Sequence, residues 1–190
     1  MSLQPLAVPK EKLKTPPLSI HTLGDRVLRS LSKNVATVNQ ETRLLAREML
    51  QTMYSCDGIG LAAPQVGVNK RLIVIDIDPE EAANPVWVMV NPVIKRVVAD
   101  LEVGQEGCLS IPNVFADVVR PARVVVSFRD LSGKPQAIEA SGLLARVIQH
   151  ELDHLEGVLF VDRVENQLAL AQDLTKQKFS LRDVQPAPVR

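Results

Sequence analysis

The chain has 190 residues, with 22 Lys plus Arg set against 22 Asp plus Glu and aromatic residues at only 3%. That length suits one domain, able to bury roughly two-thirds of its unfolded surface without disulfide staples. Zero net charge and few aromatic rings argue against direct nucleic-acid binding, against an anionic membrane surface, and against base-stacking platforms. The two cysteines, Cys56 and Cys108, make no disulfide framework, and no apolar run reaches the length of a membrane span. The opening residues lack the apolar core of a signal peptide, so a reduced cytoplasmic setting is expected, with an organellar origin left open.

In chain order, residues 1–18 carry four prolines and little periodicity, and read as an extended arm. From Asn39 to about Tyr54, Leu45, Met49 and Met53 recur every four residues, beside Ala46, Leu50 and Tyr54. This predicts an amphipathic helix that ends near Asp57-Gly58. The period then shortens. Residues 71–77, 86–90, 93–98, 122–128 and 136–140 are short β-branched runs separated by Asp, Pro and Gly. They predict mostly antiparallel strands, because the connections are too short for helical crossovers. Leu131 to Lys134 suits a hairpin turn.

Ser141 to Leu155 predicts a second helix, with Ser141 as N-cap and Gly157 past its end. Leu144, Val147, Ile148, Leu152 and Leu155 supply its core face. A third helix is expected over 166–182, then a flexible tail at 183–190. Residues 19–165 hold the domain that carries the chemistry. The expected fold class is α+β, with mostly antiparallel strands packed around a central helix.

That helix contains His150-Glu151-Leu152-Asp153-His154, an H-E-x-x-H motif that uses two of the chain's three histidines. Spacing of four stacks both imidazoles on one helix face, about 6 Å apart, where both reach one metal ion. Glu151 is rotated off that line, placed to move a proton on a water rather than to bind metal. A third ligand is required. In one large protease class a further histidine follows six residues after the second, but Phe160 stands at that position here. The remaining candidates are His21, Cys56, Cys108 or a carboxylate. Cys56 ends an apolar stripe, where a buried thiol needs no function. Cys108 lies in Glu106-Gly107-Cys108-Leu109-Ser110, read as a short irregular segment whose glycine permits close backbone approach. A thiolate with two imidazoles suits Fe(II), Co(II), Ni(II) or Zn(II), and excludes Mg and Ca. In Gly58-Ile59-Gly60-Leu61-Ala62-Ala63-Pro64-Gln65, small residues also allow close approach, and Gln65 can donate to a developing oxyanion.

Together the three segments resemble peptide deformylase, the family that removes the formyl group from the N-terminal methionine of new chains. Its motifs G-x-G-[LIV]-A-A-x-Q, E-G-C-[LV]-S and Q-H-E-x-D-H-[LV]-x-G occur in order at 58–65, 106–110 and 149–157. The resemblance implies Cys108, His150 and His154 as metal ligands, preferably to Fe(II), with Zn(II), Ni(II) or Co(II) able to substitute. It implies Glu151 as proton carrier, and Gln65 with the backbone N–H of Leu109 as oxyanion donors. Ile59, Gly60 and Gly107 would grip peptide main chain as an added strand, and Glu106 would orient neighbouring groups. The methionine pocket is expected from Ile59, Leu143 and Val147. Arg146, one turn before His150 where relatives often carry an apolar residue, either lines the pocket mouth with its stem or turns its head to solvent. The implied partners are formylmethionyl nascent peptides, with transient ribosome contact through the C-terminal helix bearing Lys176, Lys178 and Arg182. The competing reading is a small H-E-x-x-H zinc peptidase.

Overall fold

The computed structural model describes residues 8–80 and 86–186. Helix α1 (Gln40–Ser55) forms where the i, i+4 stripe predicts it, and Asn39 caps it by accepting the Thr42 N–H at 3.0 Å. Met49, Leu50 and Met53 are fully buried, and the helix stops where Asp57 takes a left-handed φ of 60°. From Val8 onward the arm lies on α1. Ser55 and Thr52 hydroxyls accept the N–H groups of Leu13 and Leu18, and Gln51 donates to the Glu11 carbonyl. Lys10 sits 3.0 Å from the buried carboxylate of Asp76, which also accepts the Tyr54 hydroxyl. Residues 1–7 of the expected arm lie outside the described residues.

Among the described residues, β1 (Gly60–Ala62), β2 (Leu72–Ile75), β3 (Trp87–Cys108), β4 (Ile111–Arg129) and β5 (Pro135–Ser141) form one antiparallel sheet in sequence order. The antiparallel expectation stands, but its boundaries need correcting. The runs at 86–90 and 93–98 are parts of one strand, β3, which continues through Glu106-Gly107-Cys108. That segment is therefore strand rather than irregular chain. Bulges absorb the breaks: the register shifts between Val90 and Val93, where Asn91 has φ 52° and Pro92 needs no ladder hydrogen bond. Strand β4 starts at Ile111, far ahead of the run at 122–128. Its outer half hides from a hydropathy reading because the buried face carries Arg120 beside Val114 and Val118. The turn at Asp130 to Lys134 closes the β4–β5 hairpin as expected.

Helix α2 (Gly142–Leu155) packs against β1, β2, β4 and β5 and buries Ile148, Leu152 and Leu155. Leu144 is only partly buried against the same cluster. Ser141 precedes the helix but its side chain makes no capping hydrogen bond. Gly157 has φ 73°, and a Cβ there would lie 2.8 Å from the Arg29 carbonyl oxygen, so only glycine fits. Helix α3 (Gln167–Lys176) is shorter than the expected 166–182. Lys178 adopts φ 64° while the Phe179 N–H reaches the Leu174 carbonyl and the Lys178 N–H that of Thr175. This is a Schellman closure with lysine at the position glycine normally marks, so the stop carries no sequence signal. The segment from 183 begins docked: Arg29 donates to the Asp183 carbonyl, and the Gln185 N–H to Asp162. No helix of the described residues is long and apolar enough to cross a membrane.

Candidate metal centre and active site

Three elements converge on one cavity of about 720 Å³. Strand β1, the residue before it and the 3-10 turn after it (Ala63–Val66) supply Gly60, Ile59 and Gln65, the end of β3 supplies Glu106, Gly107 and Cys108, and α2 supplies His150 and Glu151. The ligand atoms of Cys108, His150 and His154 all lie within 4.8 Å of one another. Cys108 Sγ is 3.3 Å from His154 Nε2. Among the described residues no other three such side chains gather this closely. His21 instead pairs with Asp25, and Cys56 lines the cavity without joining the cluster.

The donor set fits a borderline divalent ion. His150 presents Nδ1 to Glu106 at 2.9 Å, which leaves Nε2 for a ligand. Phe160, the residue where a third histidine would have stood, is buried and stacks on the His150 ring with centroids 6.0 Å apart. Glu106 is in turn clamped by both sides of the Arg120 guanidinium at 2.8 Å. Arg120 also bonds Asp153, which receives Arg163 as well. Burial works against the charge of Glu106, yet Arg120 and His150 hold its carboxyl well below the usual range. Burial also opposes charge on His150, but Cys108 and Glu106 outweigh it and favour a proton on the ring, in competition with any cation. At His154, burial and then the neighbouring His150 charge push the pKa well down, so that ring stays neutral.

Glu151 contrasts with every other acid here. It is buried, its Oε2 has no hydrogen-bond partner among the described residues, and burial raises its pKa to about 7 despite the opposing charge of His150. Its carboxylate lies against Gly60, where a Cβ would collide with Glu151 Oε1 and sit 2.8 Å from Val147 Cγ1. That close approach explains the glycine. Gln65 is also buried, and its orientation is set: Oε1 accepts the Ala62 N–H at 2.8 Å, so Nε2 faces Ser110 Oγ at 3.1 Å and Cys108 Sγ at 3.4 Å.

A family model described as polypeptide deformylase matches residues 17–169. The chain belongs to the peptide deformylase family. Peptide deformylase 2 of Gloeobacter violaceus is 67% identical over 180 residues, covering 95% of this chain and 96% of that one. A crystal structure of a peptide deformylase from Synechococcus elongatus in complex with actinonin has a TM-score of 0.93 at 58% identity, covering 95% of this chain and 98% of that one. The peptide deformylase from Legionella pneumophila gives a TM-score of 0.78 at 40% identity, over 85% of this chain and 95% of that one.

The remaining expected residues also reach the cavity. Leu109, Leu143, Val147 and Arg146 line it, with Leu143 half-exposed at 50% and Val147 buried. The Leu109 side chain covers Gly58, where a Cβ would lie 2.8 Å from Leu109 Cδ1. Arg146 turns its head neither to solvent nor to the cavity mouth, but onto carbonyls of β3 and β4. Three participants escaped the sequence reading: Arg120, Arg163 and Phe115, the last an exposed ring at the cavity wall. Arg120 was findable, since alternation from Val118 places residue 120 on the buried face, where an arginine demands carboxylates.

Proposed function

We propose that this cavity removes the N-formyl group from formylmethionyl peptides, with Cys108, His150 and His154 holding one divalent ion and Glu151 moving the proton. The observation that carries the division of labour is Glu151: a buried, unpartnered carboxyl beside a compact Cys/His/His cluster. A buried acid without a partner is costly in a fold, and is retained where a reacting group completes it. Fe(II) suits one thiolate and two imidazoles, and Zn(II), Ni(II) or Co(II) can take its place. Bound there, the ion would supply Lewis acidity toward the formyl oxygen and lower the pKa of water.

Glu151 takes a proton from the attacking water and returns it to the departing amine, leaving formate and a free N-terminus. Charge that develops on the formyl oxygen meets the Gln65 amide and the Leu109 N–H. Glu106 keeps the His150 ring in place. β1, which carries Gly60 and follows Ile59, is the edge strand of the sheet and borders the cavity, as does Gly107 on β3, so these three can pair with substrate main chain as an added strand. Main-chain recognition accepts varied second and third residues. Ile59, Leu143, Val147 and the Arg146 stem surround the methionine side chain, and α2 serves as the central helix on which the chemistry is mounted. A nascent chain in the cytoplasm is the natural substrate. Lys176 at the end of α3, with Lys178 and Arg182 in the segment beyond it, offers the positive charge for transient ribosome contact, although Lys176 already pairs with Asp173.

Formate release from formyl-Met-Ala-Ser by anaerobically prepared protein, with one metal ion per chain, is the expected result. Cleavage of internal peptide bonds without formate would establish the peptidase reading instead.

A further inference from the structure

Arg146 is wedged between α2 and the β3–β4 hairpin. Its Nη1 donates to Glu106 Oε1 at 2.9 Å, to the Val118 carbonyl at 2.9 Å and to the Gly104 carbonyl at 3.3 Å. Its Nη2 donates to the Glu102 carbonyl at 2.9 Å. The side chain is 14% exposed. The flat guanidinium rests on Gly104, where a Cβ would lie 2.7 Å from Arg146 Cζ. So a glycine is needed opposite the arginine, and three carbonyls plus a carboxylate form a cradle for one side chain.

Glu106 reaches His150 from the hairpin, whereas His150 belongs to α2. The two elements must keep their spacing for that hydrogen bond to hold. Arg120 ties the hairpin to Asp153, one turn after His150, and Arg146 ties it one turn before. The ligand is thus bracketed by two arginine ties, with Gln149 donating to the Pro121 carbonyl between them.

We propose that Arg146 is a positioning residue for the metal centre, holding Glu106 against His150 Nδ1 through its clamp on residues 102–106. This rests on the reading of Cys108, His150 and His154 as metal ligands. The test is zinc loss from the zinc-loaded enzyme challenged with EDTA, followed with a zinc indicator. Arg146→Ile loses zinc about tenfold faster than wild type, at the low end of what removing a ligand's outer partner does. Arg146→Lys falls between, and Gly104→Ala, which leaves the arginine but displaces its head, is also faster. In a Glu106→Gln background, Arg146→Ile adds no further acceleration, a non-additivity that loss of general stability would not produce. A wild-type rate in Arg146→Ile or Gly104→Ala, or full additivity with Glu106→Gln, overturns the proposal. Wild-type protein that fails to hold one zinc per chain overturns the ligand reading as well, so zinc stoichiometry tells the two failures apart.

Discussion

Glu151 and Asp153 lie two residues apart on α2, both carboxylates, both buried, and they are treated in opposite ways. On the side of α2 toward the hairpin, burial raises the Asp153 pKa less than Arg163 and Arg120 lower it, and the acid stays ionised. On the cavity side, Glu151 Oε2 has no partner among the described residues and burial lifts its pKa to about 7. The fold thus completes one carboxylate and leaves the other open. Completed charges hold the elements in register, and the open one lines the cavity.

Removing the open carboxylate tests this contrast at its strongest. Glu151→Gln is expected to lower kcat by about 10²- to 10⁴-fold, the usual range for a proton carrier. Metal content should stay at the wild-type value and the melting temperature should not fall, because no hydrogen bond of Oε2 is lost. A variant with near-normal kcat would move the proton transfer elsewhere.

On the completed side the effect should appear in stability. Arg120→Met leaves Glu106 and Asp153 without their shared cation, and breaking a buried pair from one side costs about 3–5 kcal/mol. Denaturant unfolding of the metal-free protein measures it. A loss below about 1 kcal/mol would mean that Arg163 and Arg146 compensate, and that the contrast is overdrawn.

Gln65 lies between these extremes, since Oε1 of its amide is held by the Ala62 N–H and Nε2 faces Ser110 and Cys108 at the cavity. Gln65→Ala should lower kcat about a hundredfold, with little change in KM, as for loss of one oxyanion donor. A change confined to KM would assign Gln65 to binding alone.

The same division explains what could be read from the sequence. His150 and His154 are legible because helix spacing alone brings them to one face, with Glu151 next to the first and rotated off their line, a local property of the chain. Phe160 removes the helix-borne third histidine, but the choice of Cys108 over His21, Cys56 or a carboxylate rests on the resemblance carried by Glu106 to Ser110. The long β3–β4 hairpin was not legible, because Asn91-Pro92 looks like a break and is a bulge, and Arg120 occupies a core position. The bracket of Arg120 and Arg146 around Glu106 joins residues 14 and 40 positions from it. No local period encodes such contacts, which exist only once the hairpin lies on α2.

Asp130 separates completion from burial, because it is hydrogen-bonded as fully as Asp153 but lies in the β4–β5 turn near solvent. It accepts the Ser132 N–H at 2.8 Å, the Lys134 N–H at 3.0 Å and the Gln136 amide at 2.8 Å. Slight burial works against its charge, but these donors win and its pKa lies below the ordinary value. A lowered folded-state pKa contributes stability above the unfolded value of about 3.9, and that contribution is lost as pH falls through the folded value. Asp130→Ala should therefore lower the melting temperature by about 2 °C at pH 7, the scale of a sub-kilocalorie change in a domain this long. The gap between variant and wild type should close as pH drops below about 4. A gap that stays constant from pH 7 to pH 3 would place the contribution in the turn's backbone rather than in the carboxylate. Completion without burial would then be energetically silent, and the Glu151–Asp153 contrast would rest on burial alone.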